Sequence, residues 1–271
     1  MPTVLESIIE GVREDLADRK RVTPILQLQD KIAAIAPALP AAANLMYRDF
    51  SVIAEVKRSS PSKGDLAPIS DPKRLANQYA EGGAKMISVL TERRRFSGSL
   101  ADLVAVRSEV EIPILRKDFM VEQYQIFESR ASGADAILLI MAALGDNQVS
   151  ELNAIALELG MSVLVEVHDE YELDRALNIE PKLVGVNARN LKTLDVDLAT
   201  CDRLLPLIPP AVVAIAESGI STLADIERLC NQGARGVLVG ESLVKSGDPT
   251  ETIQEWTEAG NEIVREMKGL A

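Results

Sequence analysis

The sequence predicts an α/β fold in which eight strand–helix units close into a barrel behind a helical N-terminal extension. Short apolar runs alternate with amphipathic segments along most of the chain, and 47% of its residues are apolar. Several of these runs are rich in β-branched residues and leucine throughout, which is typical of strands that are covered on both faces. Eight such units favour a closed (β/α)8 barrel over an open sheet, and the length suits one barrel domain over residues 1–271.

The extension is expected over residues 1–48, ahead of the first strand. Residues 3–20 show the helical spacing of apolar side chains that buries one face of a helix. Residues 25–43 are rich in alanine but are interrupted by two prolines, so we expect a second short helix followed by a loop there.

The barrel units follow in order along the chain. Strands are expected at residues 50–57, 85–90, 112–116, 135–140, 162–167, 183–187, 212–216 and 236–240. Helices are expected at residues 72–82, 99–110, 122–132, 147–159, 169–179, 198–207, 221–232 and 249–268. Glycine stands at four of the helix-to-strand junctions, where a left-handed backbone conformation ends a helix and lets the chain turn into the next strand.

The composition restricts the classes of partner. A net charge of −12 argues against nucleic acid or an anionic membrane as a partner, and an aromatic content of 3% removes the stacking platforms of a single-strand binder. The N-terminus does not resemble a signal peptide, and no apolar run approaches a membrane span. Cys201 and Cys230 lack metal-ligand spacing, so we expect two buried thiols in the reducing cytoplasm.

Charged side chains stand where several strands end. Glu55 and Lys57 follow one apolar run and share a face, and residues 59–64 then supply hydroxyls, backbone N–H groups and a lysine. In a barrel of this kind the carboxyl ends of all strands meet at one rim, which is where catalytic residues lie. The same rule brings two lysines, one arginine and three glutamates together, which are Glu55, Lys57, Lys117, Glu166, Arg189 and Glu217. Such a convergent set suits acid–base chemistry.

Two glycine-bearing loops predict a phosphate site. Ser218-Gly219 and Gly240-Glu241 follow the seventh and eighth strands, whose loops often bind phosphate through backbone N–H groups. Because a carboxylate would repel a phosphate, we expect only the N–H of Glu241 to face the ligand.

Two other features have plainer interpretations. His168 is the only histidine, and we expect it in a loop or at a helix cap rather than in catalysis. Residues 93–95 are three consecutive arginines, which predict an exposed loop; the alternative is a loop that closes over an anionic substrate.

Several motifs occur in an order that resembles the indole-3-glycerol phosphate synthase family. They are Glu-Val-Lys-Arg-Ser-Ser-Pro-Ser-Lys-Gly, Leu-Thr-Glu followed after three residues by Phe-Ser-Gly-Ser, Leu-Arg-Lys-Asp-Phe, Val-Glu-Val-His, Gly-Val-Asn-Ala-Arg-Asn-Leu and Ala-Glu-Ser-Gly-Ile. The similarity runs from about residue 3 to residue 268 and includes the helical extension, which the resemblance places near the active-site rim. It implies ring closure of 1-(2-carboxyphenylamino)-1-deoxyribulose 5-phosphate with loss of CO2 and water, as a step of tryptophan biosynthesis and without a cofactor.

The resemblance also implies roles for individual residues. Lys117 is the general acid that protonates the ketone oxygen, and Glu55 orients it or assists electrostatically. Lys57 contacts the anionic groups of the substrate and can act in the dehydration, in which Glu166 serves as an acid or a base. The division of proton transfers among these lysines and Glu166 stays open at this point.

The remaining implied roles concern binding. Asn187 and Arg189 bind near the carboxylate and the ribulose hydroxyls, and Glu217 contacts a hydroxyl or supports other groups. The phosphate-binding positions are Ser60, Ser218, Gly219, Gly240 and Glu241. The apolar pocket for the aryl ring is formed by Phe96, Phe119, Leu138, Leu191 and Leu238. Members of the family often have serine where this chain has Glu241, a change that removes a side-chain hydroxyl from the phosphate site.

Two rival functions stay open at this stage. Another phosphate-binding barrel enzyme, such as phosphoribosylanthranilate isomerase, would have similar phosphate loops, although its chemistry is expected to use an aspartate and a cysteine. A catalytically inactive barrel that binds a phosphorylated metabolite and regulates a partner is the other, although such a protein need not retain the acid–base groups. We expect a small phosphorylated substrate, no metal, and a monomer rather than a homodimer.

Overall fold

The computed structural model of the protein describes residues 3–46, 49–60, 64–65 and 69–267. Eight parallel strands form a closed barrel, in which the first strand pairs with both the second and the eighth. The strands are β1 Ser51–Val56, β2 Met86–Leu90, β3 Ile114–Lys117, β4 Ala136–Ile140, β5 Ser162–Val167, β6 Leu183–Asn187, β7 Val213–Glu217 and β8 Gly236–Val239. The barrel expected from the sequence is confirmed, and each strand lies within three residues of its expected bounds.

The helices alternate with these strands after the extension. They are α1 Val4–Val22, α2 Ile25–Ala34, α3 Ala41–Met46, α4 Pro72–Glu81, α5 Leu100–Arg107, α6 Gln123–Ala131, α7 Asp146–Glu158, α8 Glu170–Leu177, α9 Ala199–Leu204, α10 Leu223–Asn231, α11 Glu241–Lys245 and α12 Pro249–Met267. The helix expected over 198–207 is instead α9 followed by a 3-10 turn, Leu205–Leu207, because Pro206 lacks the N–H that would continue an α-helix. Residue 268, the last residue expected in the final helix, lies outside the described residues.

Two apolar layers hold the barrel together. Alternate side chains of each strand face inward, where Ile53, Leu115 and Leu164 pack with their neighbours in the barrel interior. The other side chains face outward and pack under the helices, as Val52 and Ala54 do in β1. At the carboxyl ends of the strands this inner layer includes Leu138, Ile140 and Leu238, and buried polar side chains such as Glu55 and Glu166 lie at the same end.

The extension contacts both ends of the barrel. Helix α1 lies over the carboxyl ends of the strands, and α2 packs along the outside against α6. Helix α3 lies at the amino ends, where Leu45 is fully buried and the Ala42 N–H donates to Ser162 Oγ at 2.9 Å. The loop expected up to residue 43 is therefore wrong from residue 41 onward. Alanine strongly favours helix, and the apolar face of α3 fills the amino end of the barrel.

The chain leaves β1 through a short antiparallel ribbon, in which Ser59–Ser60 pairs with Gly64–Asp65. Residues 61–63 of the expected phosphate loop lie outside the described residues. None of the helices in the described part of the chain combines the length and the hydropathy that crossing a bilayer requires.

Candidate active site

A cavity of about 260 Å³ opens at the carboxyl ends of the strands. The sequence assigned seventeen residues to the site, and every one of them lines this cavity except Glu217. Those that line it are Glu55, Lys57, Ser60, Phe96, Lys117, Phe119, Leu138, Glu166, Asn187, Arg189, Leu191, Ser218, Gly219, Leu238, Gly240 and Glu241. The barrel therefore brings residues that lie up to 186 positions apart in sequence to one place.

Lys117, the last residue of β3, stands among three carboxylates. Its Nζ lies 2.7 Å from Glu217 Oε2 and 3.7 Å from both Glu55 Oε1 and Glu166 Oε2. Glu217 ends β7, and Glu55 and Glu166 are the penultimate residues of β1 and β5, so that the barrel geometry brings them together. Burial would lower the pKa of the Lys117 ammonium, but the three carboxylates raise it above its ordinary value. Lys117 is therefore protonated at neutral pH.

The three carboxylates differ in their pKa. Burial would raise the pKa of Glu55, but Lys57 and Lys117 lower it, and Lys57 Nζ lies 2.9 Å from Glu55 Oε2. Burial would also raise the pKa of Glu166, but His168 and Lys117 lower it. Glu217 is the exception: burial together with the nearby Glu166 raises its pKa, although Lys117 opposes that change. Carboxylates with separated pKa values are typical of acid–base sites.

Glu217 does not line the cavity because it lies beneath Lys117 and is fully buried. The space for its carboxylate is provided by Gly185 on the neighbouring strand β6. A Cβ atom on that glycine would lie 2.0 Å from Glu217 Oε1. Of the two roles considered from the sequence, this position beside Lys117 and outside the cavity lining favours support of another group over contact with a substrate hydroxyl.

Arg116 precedes Lys117 and points the opposite way, between the barrel and α6. Its guanidinium pairs with Asp118 at 2.9 Å and with Glu128 at 3.0 Å, and it donates to Thr91 Oγ1 at 2.9 Å. Arg19 of α1 reaches the same Glu128 at 2.8 Å. This buried network links the extension to the strand that holds Lys117, and the sequence analysis did not predict it.

The loop after β2 is held by Glu92. Its carboxylate accepts the backbone N–H groups of Arg94, Arg95 and Phe96 at 2.7–3.0 Å. The Arg94 side chain pairs with Glu14 and Asp15 of α1, at 2.6 and 2.7 Å. Arg93, Arg94 and Arg95 are all exposed, as the sequence predicted, and Arg94 in addition links the loop to the extension.

Apolar side chains form one wall of the cavity. The rings of Phe96 and Phe119 lie 6.1 Å apart at a tilt of 37°, and Leu5 and Ile8 of α1 lie over the same cavity. The resemblance placed the extension near the rim, and this position is confirmed. The wall suits a flat apolar group such as an aryl ring.

The opposite end of the cavity is formed by the loops after β7 and β8. Ser218 and Gly219 have φ values of 68° and 79°, in the left-handed region, which for a serine costs about 1–2 kcal/mol. Ser242 Oγ donates to Ile220 O at 2.6 Å and ties the two loops together. The carboxylate of Glu241 lies 2.8 Å from Lys245 Nζ within α11.

Ser60, which follows β1, also lines the cavity. Its Oγ is buried and lacks a hydrogen-bond partner among the described residues. A buried hydroxyl without a partner is costly unless a ligand or water satisfies it.

Asn187 and Arg189 belong to the loop after β6. The Arg189 N–H donates to Asn187 Oδ1 at 2.9 Å, and Arg189 Nη1 donates to Leu194 O at 2.8 Å. Burial lowers the pKa of Arg189, which nevertheless stays a cation because an arginine pKa lies far above neutral pH. The arrangement places a positive charge beside the cavity.

Further residues line the cavity that the sequence did not assign: Leu90, Asp118, Ile140, Leu194, Ile220, Ser221, Val239 and Ser242. The strand-end rule could have identified Leu90, Ile140 and Val239. Leu194 has no comparable sequence signal, because an irregular loop brings it to the cavity.

Neither cysteine lines the cavity. Cys201 and Cys230 are free, buried thiols, as expected, and burial raises the pKa of both to about 12. The described residues contain no cluster of three or more histidine, cysteine and acidic side chains that could hold a metal ion. The site therefore offers ammonium, guanidinium and carboxylate groups beside an apolar wall.

A parallel barrel with acid–base groups at its carboxyl end, and with two neighbouring loops there that suit an anion, is typical of a (β/α)8 enzyme. The indole-3-glycerol phosphate synthase family model matches residues 5–256. Curated relatives of that name include one from Nocardioides sp., 54% identical over 94% of this chain and 98% of the relative. Another, from Arthrobacter sp., is 51% identical over 97% of this chain and 98% of the relative. This chain belongs to the indole-3-glycerol phosphate synthase family.

A solved structure shows the same fold at much lower sequence identity. Thiamine phosphate pyrophosphorylase from Pyrococcus furiosus superimposes with a TM-score of 0.60 at 14% identity, over 80% of this chain and 97% of that chain. This likeness concerns the fold alone.

Proposed function

We propose that this chain closes the indole ring of 1-(2-carboxyphenylamino)-1-deoxyribulose 5-phosphate, with Lys117 as the general acid. The observation that carries the assignment is the position of the Lys117 ammonium, at the cavity between three carboxylates and an aromatic wall. As the aryl carbon attacks the ketone, the ketone oxygen gains negative charge and takes a proton from Lys117. The same carboxylates then favour return of a proton to the amine, because they raise its pKa.

Decarboxylation restores the aromatic ring, and a hydroxyl must then leave as water. The Lys57 ammonium lies beside Glu55 at the cavity edge and supplies the proton that the leaving hydroxyl needs. The Glu166 carboxylate, whose low pKa keeps it ionised, accepts the proton that the substrate releases. In this assignment Glu166 acts as a base, and the two protons balance the loss of one water.

Binding groups surround this centre. Arg189 and Asn187 hold the substrate carboxylate and a ribulose hydroxyl, and Phe96 and Phe119 pack against the aryl ring with three leucines, Leu138, Leu191 and Leu238. The phosphate binds at Ser60, Ser218, Gly219, Gly240 and the N–H of Glu241. Because α11 has only five residues, we assign most of the affinity to hydroxyl and N–H donors rather than to its dipole.

The organisation of the chain follows from the same site. Residues 1–271 act as one domain with the extension at 1–48, because Leu5 and Ile8 line the cavity. A monomer is sufficient, since side chains of one chain supply every group that the mechanism uses. Two free buried thiols fit the cytoplasm.

A turnover assay tests this function and both rivals. The purified chain is mixed with the carboxyphenylamino substrate, and the indole product is followed by fluorescence. Phosphoribosylanthranilate is offered in parallel, as the precursor that the isomerase would consume. Indole formation supports the proposal; consumption of phosphoribosylanthranilate alone would support the isomerase, and no turnover of either would favour a binding protein.

A further inference from the structure

His168 lies between two carboxylates, behind the cavity rather than in it. Its Nδ1 lies 2.9 Å from Glu172 Oε2, and the same oxygen accepts the His168 backbone N–H at 2.9 Å. Its Nε2 lies 3.4 Å from Glu166 Oε1. Glu166 lines the cavity and His168 does not, so the histidine reaches the substrate only through Glu166.

Each oxygen of Glu166 therefore faces a different cationic partner. Oε2 lies 3.7 Å from Lys117 Nζ on the cavity side, and Oε1 lies 3.4 Å from the imidazole on the other side. The buried Nε2 makes no well-formed hydrogen bond within the described residues. A ring fixed by Glu172 at one nitrogen and aimed at Glu166 with the other has the geometry of a support for that carboxylate.

We propose that His168 is a positioning residue for Glu166: an imidazolium, held by Glu172, that keeps the Glu166 carboxylate ionised and directed at the substrate. The inference rests on the proposed function, in which Glu166 accepts a proton. It gives the Glu172–His168 pair a task in the reaction, although neither residue touches the substrate.

The titration of the two groups agrees with this geometry. Burial would lower the pKa of His168, but the carboxylates of Glu166 and Glu172 raise it to about 10. Burial would raise the pKa of Glu166, but His168 lowers this pKa more than any other neighbouring group does. At neutral pH the ring is therefore charged and Glu166 is ionised.

Among the described residues, the strands on either side of β5 end in uncharged side chains. Strand β4 ends beside Glu166 with Ile140, and β6 ends with the neutral amide of Asn187. The cation of α8, Arg175, is directed elsewhere, to the carbonyl oxygens of Met141 and Leu144.

The helix cap is provided by another residue. Asp169 Oδ1 accepts the Glu172 N–H at 2.8 Å and caps α8, so the cap does not require the His168 ring. The sequence expectation of a loop or cap position thus describes the location of His168 and leaves its ring available for Glu166.

The first test is an NMR titration of wild-type protein, because a chain with one histidine gives one imidazole signal. We expect the ring to stay charged well above its ordinary pKa of about 6.5. In Glu172→Gln and in Glu166→Gln the imidazole pKa should fall. An imidazole that titrates near pH 6.5 in the wild-type protein would overturn the proposal. This test needs no substrate, so its result does not depend on the proposed function.

The second test is the pH profile of kcat/KM. His168→Gln places a neutral amide near the former Nε2, so it should move the acid limb upward by about 1–3 pH units, the effect of removing an opposite charge at this range. Glu172→Gln should move it in the same direction. Glu170→Gln is the matched control for Glu172→Gln, because it removes the same charge from the same helix. Glu170 pairs with the exposed Arg203 instead of His168. Its profile should match that of the wild type.

A uniform loss of rate in His168→Gln with an unmoved acid limb would show a merely structural role and refute the proposal. His168→Asn, which keeps a donor toward Glu172, provides a second variant if the first does not fold. Absence of turnover in the wild type would refute the proposed function instead, while the imidazole titration would still decide whether His168 is held as a cation.

Discussion

Replacing Gly185 with alanine tests how Lys117, the proposed general acid, is held. The new Cβ would lie 2.0 Å from Glu217 Oε1 and 3.1 Å from its Cδ, far inside van der Waals contact. Either the strand shifts or the carboxylate leaves Lys117. Overpacking of this kind costs about 1–3 kcal/mol of stability. Loss of a hydrogen bond between charged groups costs about 1.5–3 kcal/mol, which corresponds to roughly 10–100-fold in kcat if the contact is needed in the transition state.

Thermal unfolding and steady-state kinetics measure the two effects separately. Each kcal/mol lowers Tm by about 2–4 °C in a chain of this size class. Gly247→Ala is the control, because a Cβ there meets nothing within 4 Å. It should leave kcat unchanged. If Gly185→Ala lowers Tm as expected but keeps kcat within twofold of wild type, then the contact between Glu217 and Lys117 does not contribute to catalysis.

Three further predictions follow from buried groups. Ser60→Ala should weaken binding of the phosphorylated substrate by roughly 10-fold or more. Ser88→Ala, which removes another buried hydroxyl without a partner among the described residues, lies away from the cavity and should leave binding unchanged. Equal substrate affinities of the two variants would contradict the proposed phosphate site. Ile8→Ala should raise KM, whereas Leu45→Ala at the amino end of the barrel should cost about 2–5 kcal/mol of stability and leave KM unchanged; the reverse pattern would show that α1 is only structural. Because the pKa of His168 is raised to about 10, its contribution to stability is complete below about pH 6.5 and is lost as the pH rises toward 10. Denaturant unfolding at several pH values should therefore show a flatter profile for His168→Gln, and identical profiles would contradict this.

The sequence predicts the barrel and most of its site for a physical reason. Buried parallel strands leave continuous apolar runs, and a charge at the end of such a run has no packing explanation. Glu55 and Lys117 were identified in this way, and the barrel geometry brings them together. The same rule does not show whether a side chain at the end of a strand points into the barrel or toward the helices.

Features that depend on contacts across the fold were not predictable. Helix α3 forms because its apolar face packs against the amino end of the barrel. The prolines around residue 40 predict a loop there, and the sequence does not show this tertiary contact. Glu217 lies under Lys117 only because residue 185 on the next strand is a glycine. Arg116 belongs to a network with Glu128 and Arg19, and its members are more than 90 residues apart at the extremes.

The most direct test of the account is the turnover of Lys117→Arg with the carboxyphenylamino substrate. Arginine keeps the cation that the three carboxylates require, so the protein should fold, but a guanidinium does not give up its proton near neutral pH. Lys73→Met, which replaces a lysine at a half-exposed surface position, is the control for the effects of mutation and purification. The account predicts indole formation by the wild type and the control, and a loss of at least about 100-fold in kcat for Lys117→Arg with an unchanged circular dichroism spectrum. Near-normal kcat in the folded Lys117→Arg variant, or no indole product from the wild type, would contradict it.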